Sequence, residues 1–219
     1  MSQKKSGKQG HKLRIKSLIH SLAGTTKIIA EGLSVETGTN ALVVKARPAK
    51  REQCRCGICH KKASGYDSGR ETRRWRCLDV GAGMTYIESS MPRVRCKEHG
   101  VVSAAVPWAR HKSRFCKNFE ETVTWLATHT SKKTVSELMR IEWHTVGNLC
   151  ERVYKELEKA APERFNGLVN IGIDETSYKK GHKYMTVVID HDTASVVWCG
   201  IGYGKEVLSS FFEQLTPEQ

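Results

Sequence analysis

The chain has 219 residues, with 36 Lys and Arg against 23 Asp and Glu, which gives a formal charge of +13 at neutral pH. No run of eighteen apolar residues occurs and the basic N-terminus lacks an apolar segment, so the sequence predicts neither a membrane span nor a secretory signal. Eight cysteines in such a chain favour metal binding over disulfides, and we expect a cytoplasmic protein.

The charge is distributed unevenly along the chain. Residues 168–219 carry four lysines against seven carboxylates, a formal charge of −3, which leaves +16 on residues 1–167. A basic body joined to a slightly acidic segment predicts a polyanion-binding part followed by a different functional unit.

The N-terminal part has few predicted elements. Residues 1–16 hold six Lys and Arg and no carboxylate, which indicates a flexible basic arm. Short β-type runs at 26–30 and 41–46 flank a Gly-Thr-Asn sequence that is typical of a hairpin turn. A basic, proline-containing segment at 47–51 then predicts a linker, so we expect residues 1–52 to form an arm and a hairpin.

Two short motifs in the next segment, residues 53–108, have the spacing of metal ligands. Cys56 and Cys59 form a C-x-x-C pair, and Cys96 and His99 form a C-x-x-H pair further along the chain. Four such ligands would complete a tetrahedral Zn²⁺ shell without an open position, which predicts a structural zinc finger. Cys54 is a competitor for Cys56, although the C-x-x-C spacing favours Cys56. Reduced cysteines without metal are the alternative for this cluster. We expect core or surface thiols at Cys77, Cys116, Cys150 and Cys199.

Residues from about 118 to 160 show helical periodicity, and the first predicted helix is amphipathic, with Phe119, Val123 and Leu126 on its apolar side. Thr134 and Glu137 have the spacing of a capping box, which predicts the start of a short helix. The apolar stripe of a second helix comprises Val146, Leu149, Cys150, Val153 and Leu157. Its polar face comprises His144, Thr145, Asn148, Arg152 and Lys155. This pattern predicts a helix-turn-helix within residues 109–163 whose second helix enters the major groove of DNA, with an ordinary helical bundle as the alternative.

From residue 168 the periodicity changes to that of strands. Three strands at 168–174, 183–190 and 194–202 precede a helix at 205–215, which is the order of a ribonuclease H-like fold. The first strand ends in Asp174, where such folds use an Asp to hold divalent ions that activate water, and Mg²⁺ suits this role. Glu175 should point to the opposite face by strand alternation, and Asp190 and Asp192 are expected to be turn residues.

Several segments together carry a resemblance to a known family. They read, in order, CGIC, ETRRWRCLDVG, PRVRCKEHG, VPWAR, the helix-turn-helix pattern and IGIDETSYKKGHKYMTVVIDHD. From about residue 25 onward the chain resembles the insertion-sequence-L-three transposases. The resemblance implies an α+β multidomain protein with a small β-rich zinc-binding module, a helical helix-turn-helix and an incomplete ribonuclease H-like α/β domain at residues 168–219.

The same resemblance implies a function and a set of site residues. The zinc finger and helix-turn-helix of the family bind double-stranded DNA at terminal inverted repeats, and the last domain cuts and joins DNA with an Asp-Asp-Glu triad and Mg²⁺ or Mn²⁺. It places the first triad Asp at Asp174 and the zinc ligands at Cys56, Cys59, Cys96 and His99.

The remaining two triad residues lie further along in the family than these 219 residues extend. We therefore expect an N-terminal part of a transposase, nucleoid-associated, that binds DNA without cutting it, and a homodimer fits that role. One alternative is a transcription regulator in which residues 168–219 serve dimerisation. Another is a nuclease that pools single carboxylates across an oligomer.

Overall fold

The computed structural model describes residues 15–69, 72–160 and 164–217, so the predicted basic arm lies outside the described residues except for its last two positions. The chain divides into two compact units, Met1–Tyr154 and Lys155–Gln219, here called unit 1 and unit 2. No helix in the described ranges combines the length and the apolar character that crossing a bilayer would require.

The described residues form α-helices and β-strands in a mixed order. The helices are α1 (Ile15–Ala23), α2 (Lys117–His129), α3 (Lys132–Met139), α4 (Trp143–Ala160) and α5 (Lys205–Phe212). The strands are β1 (Ile28–Val35), β2 (Leu42–Pro48), β3 (Ser64–Asp67), β4 (Thr72–Val80), β5 (Gly83–Ser90), β6 (Arg93–Cys96), β7 (Gly100–Ser103), β8 (Ile171–Lys179), β9 (Lys183–Asp190) and β10 (Ser195–Ile201).

The predicted N-terminal hairpin is confirmed, but it is not separate from the cysteine-rich segment. β1 and β2 pair antiparallel around a turn in which Gly38 and Asn40 adopt positive φ angles of 93° and 52°. β2 then pairs in parallel with β5, and the sheet has the order β1-β2-β5-β4. The boundary predicted between residues 52 and 53 therefore cuts through one sheet, and the predicted linker begins within β2.

One core joins this sheet to α1, a helix that the sequence analysis did not predict. Trp75 of β4 and Trp108 are both buried, and their rings meet edge to face with centroids 5.6 Å apart. Ile19 of α1 packs into the same cluster with Ile28 and Ile87. Because each fully buried aliphatic side chain contributes about 1.5–3 kcal/mol, these contacts fix α1 on the sheet.

The three predicted helices after residue 116 are confirmed as α2, α3 and α4. Their shared core contains Phe119 and Val123 of α2, Val135 of α3, and Val146 and Leu149 of α4. The stripe predicted for α4 is correct at its N-terminal end and wrong at Leu157, which is 61% exposed. The thiols behave as expected for residues outside a metal site: Cys77 and Cys116 are buried side by side, Cys150 is half-buried and Cys199 is exposed.

Unit 2 contains an antiparallel sheet of order β10-β9-β8. Phe211 of α5 is buried against Val188 and Trp198, so the helix covers one face of the sheet. Strands β9 and β10 and helix α5 occur where the sequence predicted them. The first strand differs, because β8 continues past Asp174 to Lys179 and pairs with β9 over this polar stretch.

Candidate metal centre and nucleic-acid interface

The two predicted metal-ligand pairs lie beside a small three-stranded sheet of order β3-β6-β7, one in a turn before β3 and the other at the turn between β6 and β7. Cys56 and Cys59 occupy a turn in which the His60 N–H donates to the Cys56 carbonyl at 3.0 Å, and the Ile58 N–H donates to the Cys56 sulfur at 3.4 Å. Cys96 ends β6, and His99 lies in the turn that leads into β7. Backbone hydrogen bonds therefore set the positions of the ligands.

The four side chains converge on one point. Their ligand atoms all lie within 4.8 Å of one another. The Cys59 and Cys96 sulfurs are 3.7 Å apart, and His99 Nδ1 lies 3.8 Å from the Cys56 sulfur and 3.6 Å from the Cys96 sulfur. A tetrahedron with Zn–S bonds of about 2.3 Å has edges of about 3.8 Å, so the residues fit a zinc ion.

The geometry of the four side chains favours Cys56 over Cys54 as the first ligand. Cys54 is exposed and does not belong to the cluster, whereas Cys56 is buried within it. The nearby His99 ring and the backbone N–H of Glu98 lower the pKa of Cys96 to about 6, which favours the thiolate that binds metal. With protein ligands on all four sides, the arrangement suits a structural ion.

The helix-turn-helix is built from α3, a short turn and α4. The N-cap of α3 is Ser131, whose side chain accepts a hydrogen bond from the Thr134 N–H at 3.2 Å, so the capping box predicted at Thr134 begins three residues too late. Arg140 ends α3 in the left-handed region with a φ of 53°. Its guanidinium pairs with Asp79 and donates to the Ala82 carbonyl at 3.2 Å, which ties the turn to the β4–β5 hairpin.

The residues predicted to contact DNA have different surroundings on α4. Asn148 and Lys155 are exposed, and Thr145 is half-buried near the start of the helix. Arg152 instead pairs with the carboxylate of Glu120 and donates to the Ser113 hydroxyl at 3.0 Å. The prediction that Arg152 contacts bases therefore conflicts with its place in an internal network.

This internal network surrounds a fully buried acid. Glu120 of α2 has no solvent exposure; it accepts from Arg110 at 3.0 Å and from the Ser113 hydroxyl at 2.6 Å, besides its pair with Arg152. A buried carboxylate needs such partners, because an unpaired charge in the interior is costly. The network fixes α4 against α2, a role that sequence spacing alone does not reveal.

Two residues of the helix-turn-helix were not singled out from the sequence: Lys132, which begins α3, and Trp143, which begins α4. Trp143 begins α4 and is 49% exposed, and the Lys132 ammonium lies 3.6 Å from the centre of its ring. His144 is exposed beside them, with its ring 5.1 Å from that of Trp143. The exposure of Trp143 and its contact with Lys132, eleven residues earlier, are not visible in the sequence.

The acidic residues of unit 2 do not form a second metal centre among the described residues. Asp174 lies within β8, is exposed, and accepts a hydrogen bond from the Glu175 N–H at 2.9 Å. Glu175 accepts from the Gly204 N–H at 2.8 Å, at the start of α5. Asp190 accepts from the Asp192 N–H and the Thr193 hydroxyl, which confirms the expected turn role.

Comparisons with known proteins match the chain in three consecutive segments. A model of the zinc finger of transposases IS204/IS1001/IS1096/IS1165 matches residues 52–99. A model of the helix-turn-helix domain of transposase family ISL3 matches residues 104–154, and a transposase model of the same family matches residues 171–219. No solved structure gives a significant match.

Individual relatives agree with the family models. The transposase for insertion sequence element IS1557 of Mycobacterium tuberculosis is 44% identical over 207 residues, which cover 92% of this chain and 46% of the relative. The transposase for insertion sequence element IS1001 of Bordetella parapertussis is 26% identical over 169 residues, which cover 76% of this chain and 39% of the relative. The chain thus spans less than half the length of these curated relatives. Because three transposase domain models match consecutive segments of the chain, the chain belongs to the insertion-sequence-L-three family of transposases.

Proposed function

We propose that the chain carries the DNA-recognition machinery of a transposase and binds double-stranded DNA at the terminal inverted repeats of an insertion sequence. The observation that carries the proposal is helix α4, whose first turns are exposed while its apolar side packs on α2 and α3. A helix held in this way by a preceding turn and helix is the element that enters the major groove in helix-turn-helix proteins.

Within α4 we assign different roles to the polar residues. Asn148 is exposed and carries the amide that can make a paired hydrogen bond to adenine. His144 and Thr145 lie one turn earlier, next to Trp143 and Lys132. Lys155 suits a phosphate contact, while Arg152 positions α4 through Glu120 instead of reading bases.

The zinc ion supports this interface without taking part in chemistry. The Cys56, Cys59, Cys96 and His99 side chains would hold Zn²⁺ and fix the small β3-β6-β7 sheet, which has little apolar core of its own. A pair between Lys61 and Glu98 joins the two ligand turns on the surface.

We further propose that unit 2 belongs to a ribonuclease H-like domain and that Asp174 is a ligand for Mg²⁺ or Mn²⁺ in the transposition reaction. The order β8-β9-β10-α5 and the exposed position of Asp174 on β8 support this proposal. When bound, such ions activate water and stabilise the leaving oxygen. The transposase model over residues 171–219 favours this function over a transcription regulator.

The test of DNA recognition is selection from a library of randomised duplexes by the zinc-loaded chain. We expect an enriched sequence, and Asn148→Ala should reduce the preference for it over random duplexes by about 1–3 kcal/mol. Gln53→Ala, which changes an exposed amide outside the helices, is the matched control and should leave the preference unchanged. Sedimentation of the same samples with and without duplex tests the predicted homodimer.

Two outcomes would contradict the assignment. A library that shows no enrichment with folded, zinc-loaded protein would rule out sequence recognition by this chain. Equal losses on enriched and random duplexes in Asn148→Ala would place that residue on phosphates instead of bases.

A further inference from the structure

A second basic surface lies in unit 1, outside the helix-turn-helix. It is an open cleft of about 810 Å³ between strand β4, the ends of β6 and β7, and the segment before α2. Its lining includes Thr72, Arg73, Arg74, Arg93, Ser103 and Arg114. No carboxylate lines the cleft among the described residues, which makes it a candidate site for an anionic ligand.

Two of the four arginines already form ion pairs with carboxylates. Arg74 pairs with Glu36 at 3.1 Å and with Glu88 at 2.7 Å. Arg93 binds Asp67 through two nitrogens, with 3.0 Å between Nε and Oδ2, and its guanidinium lies 5.2 Å from the centre of the Tyr66 ring. These guanidinium groups are therefore ordered and largely neutralised, and they form walls of the cleft.

The other two arginines keep their charge available. Arg73 and Arg114 are exposed, and neither has a carboxylate partner within the described ranges. Their backbones are nevertheless fixed: Arg73 pairs with Ser89 across the β4–β5 ladder, and the Arg114 carbonyl accepts from the Arg76 N–H at 2.9 Å. The fixed backbone places both cations at one cleft, so a ligand has to order only their side chains.

The size of the cleft and its surroundings decide the kind of ligand. At about 810 Å³ the cleft is much larger than a single phosphate ion needs, and it is open to solvent. It lies in the basic part of the chain, where residues 1–167 carry +16. An open cleft of this size, with more than one guanidinium group on its lining, suits a chain of phosphates better than a compact anion.

We propose that this cleft binds the sugar-phosphate backbone of duplex DNA, with Arg73 and Arg114 contacting phosphates. The inference rests on the proposed function in taking DNA as the ligand, and it adds a contact surface that reads no sequence. Recognition by α4 and backbone binding by the cleft are separable, because phosphate contacts position a protein while base contacts specify the site.

The experiment measures how binding of a mixed-sequence duplex to the zinc-loaded chain depends on salt between about 50 and 200 mM. Each phosphate contact contributes about 0.9 to the slope of log affinity against log salt, so Arg73→Gln/Arg114→Gln should lower the slope by about 1.8. The matched control is Lys50→Gln/Arg51→Gln, which removes the same charge from an exposed turn of unit 1 outside the cleft. The control should retain the slope.

A charge-preserving variant guards against an effect on folding. Arg73→Lys/Arg114→Lys should keep most of the slope, and all variants should retain zinc and the far-ultraviolet circular dichroism of the parent. If the glutamine variant fails to fold, the single variants Arg73→Gln and Arg114→Gln, each expected to lose about 0.9 in slope, decide the question.

Several results would overturn the proposal. Equal slopes for the cleft and control double variants would show that the cleft does not touch the backbone. A loss confined to duplex RNA of the same sequence would assign the cleft to RNA. Failure of sequence recognition by α4 would appear separately, as absence of enrichment in library selection with an unchanged salt slope.

Discussion

The zinc quartet of unit 1 and the acidic residues of unit 2 are both built from residues that bind metals, yet they are organised in opposite ways. The quartet brings four ligand atoms within 4.8 Å, and no other group of three or more His, Cys, Asp or Glu converges in the described ranges. In unit 2 Asp174 faces solvent and Glu175 caps the start of α5. Two short local motifs are enough to bring the four zinc ligands together. A carboxylate site instead requires that strands distant in the sequence lie next to each other.

The largest effect should follow removal of a zinc ligand. We expect one Zn²⁺ per chain, and Cys96→Ser should lose both the metal and the fold of the β3-β6-β7 sheet. Structural zinc contributes about 10–16 kcal/mol in small zinc modules, which is as large as the whole unfolding free energy of a typical domain, about 5–15 kcal/mol. Elemental analysis and circular dichroism measure both losses, and Cys54→Ser is the matched control because Cys54 is exposed outside the quartet. Full zinc content in a Cys56→Ser/Cys59→Ser variant would refute the ligand assignment.

The next largest effect should come from the buried acid in unit 1. Glu120→Gln should destabilise the helical part by about 3 kcal/mol, because it leaves the Arg110 and Arg152 guanidinium groups without their shared anion. The neighbouring Glu121 pairs with the same Arg110 but is 56% exposed, so Glu121→Gln should cost no more than about 1 kcal/mol. Denaturant unfolding measures both values, and equal costs would argue against a structural role for the network.

A smaller, pH-dependent effect is expected in unit 2. The Thr193 hydroxyl and the Asp192 N–H lower the pKa of Asp190, so ionised Asp190 stabilises the fold. This contribution is present above the ordinary Asp pKa of about 3.9 and is lost as the pH falls through the lower folded value. Asp190→Asn should flatten the acid sensitivity of the β9 and β10 amides in hydrogen exchange. The exposed Asp192→Asn variant should keep the parental pH profile, and an identical flattening there would contradict the assignment.

The smallest effect on stability should come from the residue proposed for catalysis. Asp174→Ala should change the free energy of unfolding by less than about 0.5 kcal/mol, because its side chain is exposed. Glu175→Ala should cost more, about 0.5–1 kcal/mol, because it removes the acceptor for the Gly204 N–H at the start of α5.

The parent protein and Asp174→Ala also test DNA cleavage, because no group of three or more potential metal ligands includes Asp174 among the described residues. One aspartate cannot fix two hydrated ions roughly 3.5–4 Å apart. Incubation with a duplex and Mg²⁺ or Mn²⁺ should therefore leave the DNA intact. Strand cleavage that disappears in Asp174→Ala would favour carboxylates pooled across an oligomer.

The parts of the molecule that local sequence determines were predicted well. The ligand pairs at Cys56 and Cys96 are recognisable because each spans one turn, and the hairpin of β1 and β2 follows from alternation around a Gly-Thr-Asn turn. The end of β8 was missed because its polar residues face solvent, so no apolar alternation marks the strand beyond Asp174.

The contacts between distant segments could not be predicted in this way. Nothing near β2 in the sequence indicates that it pairs in parallel with β5, and an amphipathic reading of α2 gives no reason to bury Glu120. Arg152 was assigned to DNA because it lies on the polar face of α4, and only the packed structure reveals its internal partner. A residue on the polar face of a helix can therefore form an internal ion pair, although the sequence pattern predicts that it faces solvent.

The link between Arg140 and the β4–β5 hairpin has a consequence for how two weak surfaces would act together. Arg140 pairs with Asp79 and donates to Ala82, so the turn before α4 is held by the sheet whose strand β4 also carries Arg73. A rigid connection of this kind gives the second surface a high effective concentration once the first has bound, as in a bivalent ligand without a flexible linker. Such avidity requires that both surfaces meet the duplex in the same helical phase. Half a turn of DNA inserted between their contacts should therefore abolish the gain.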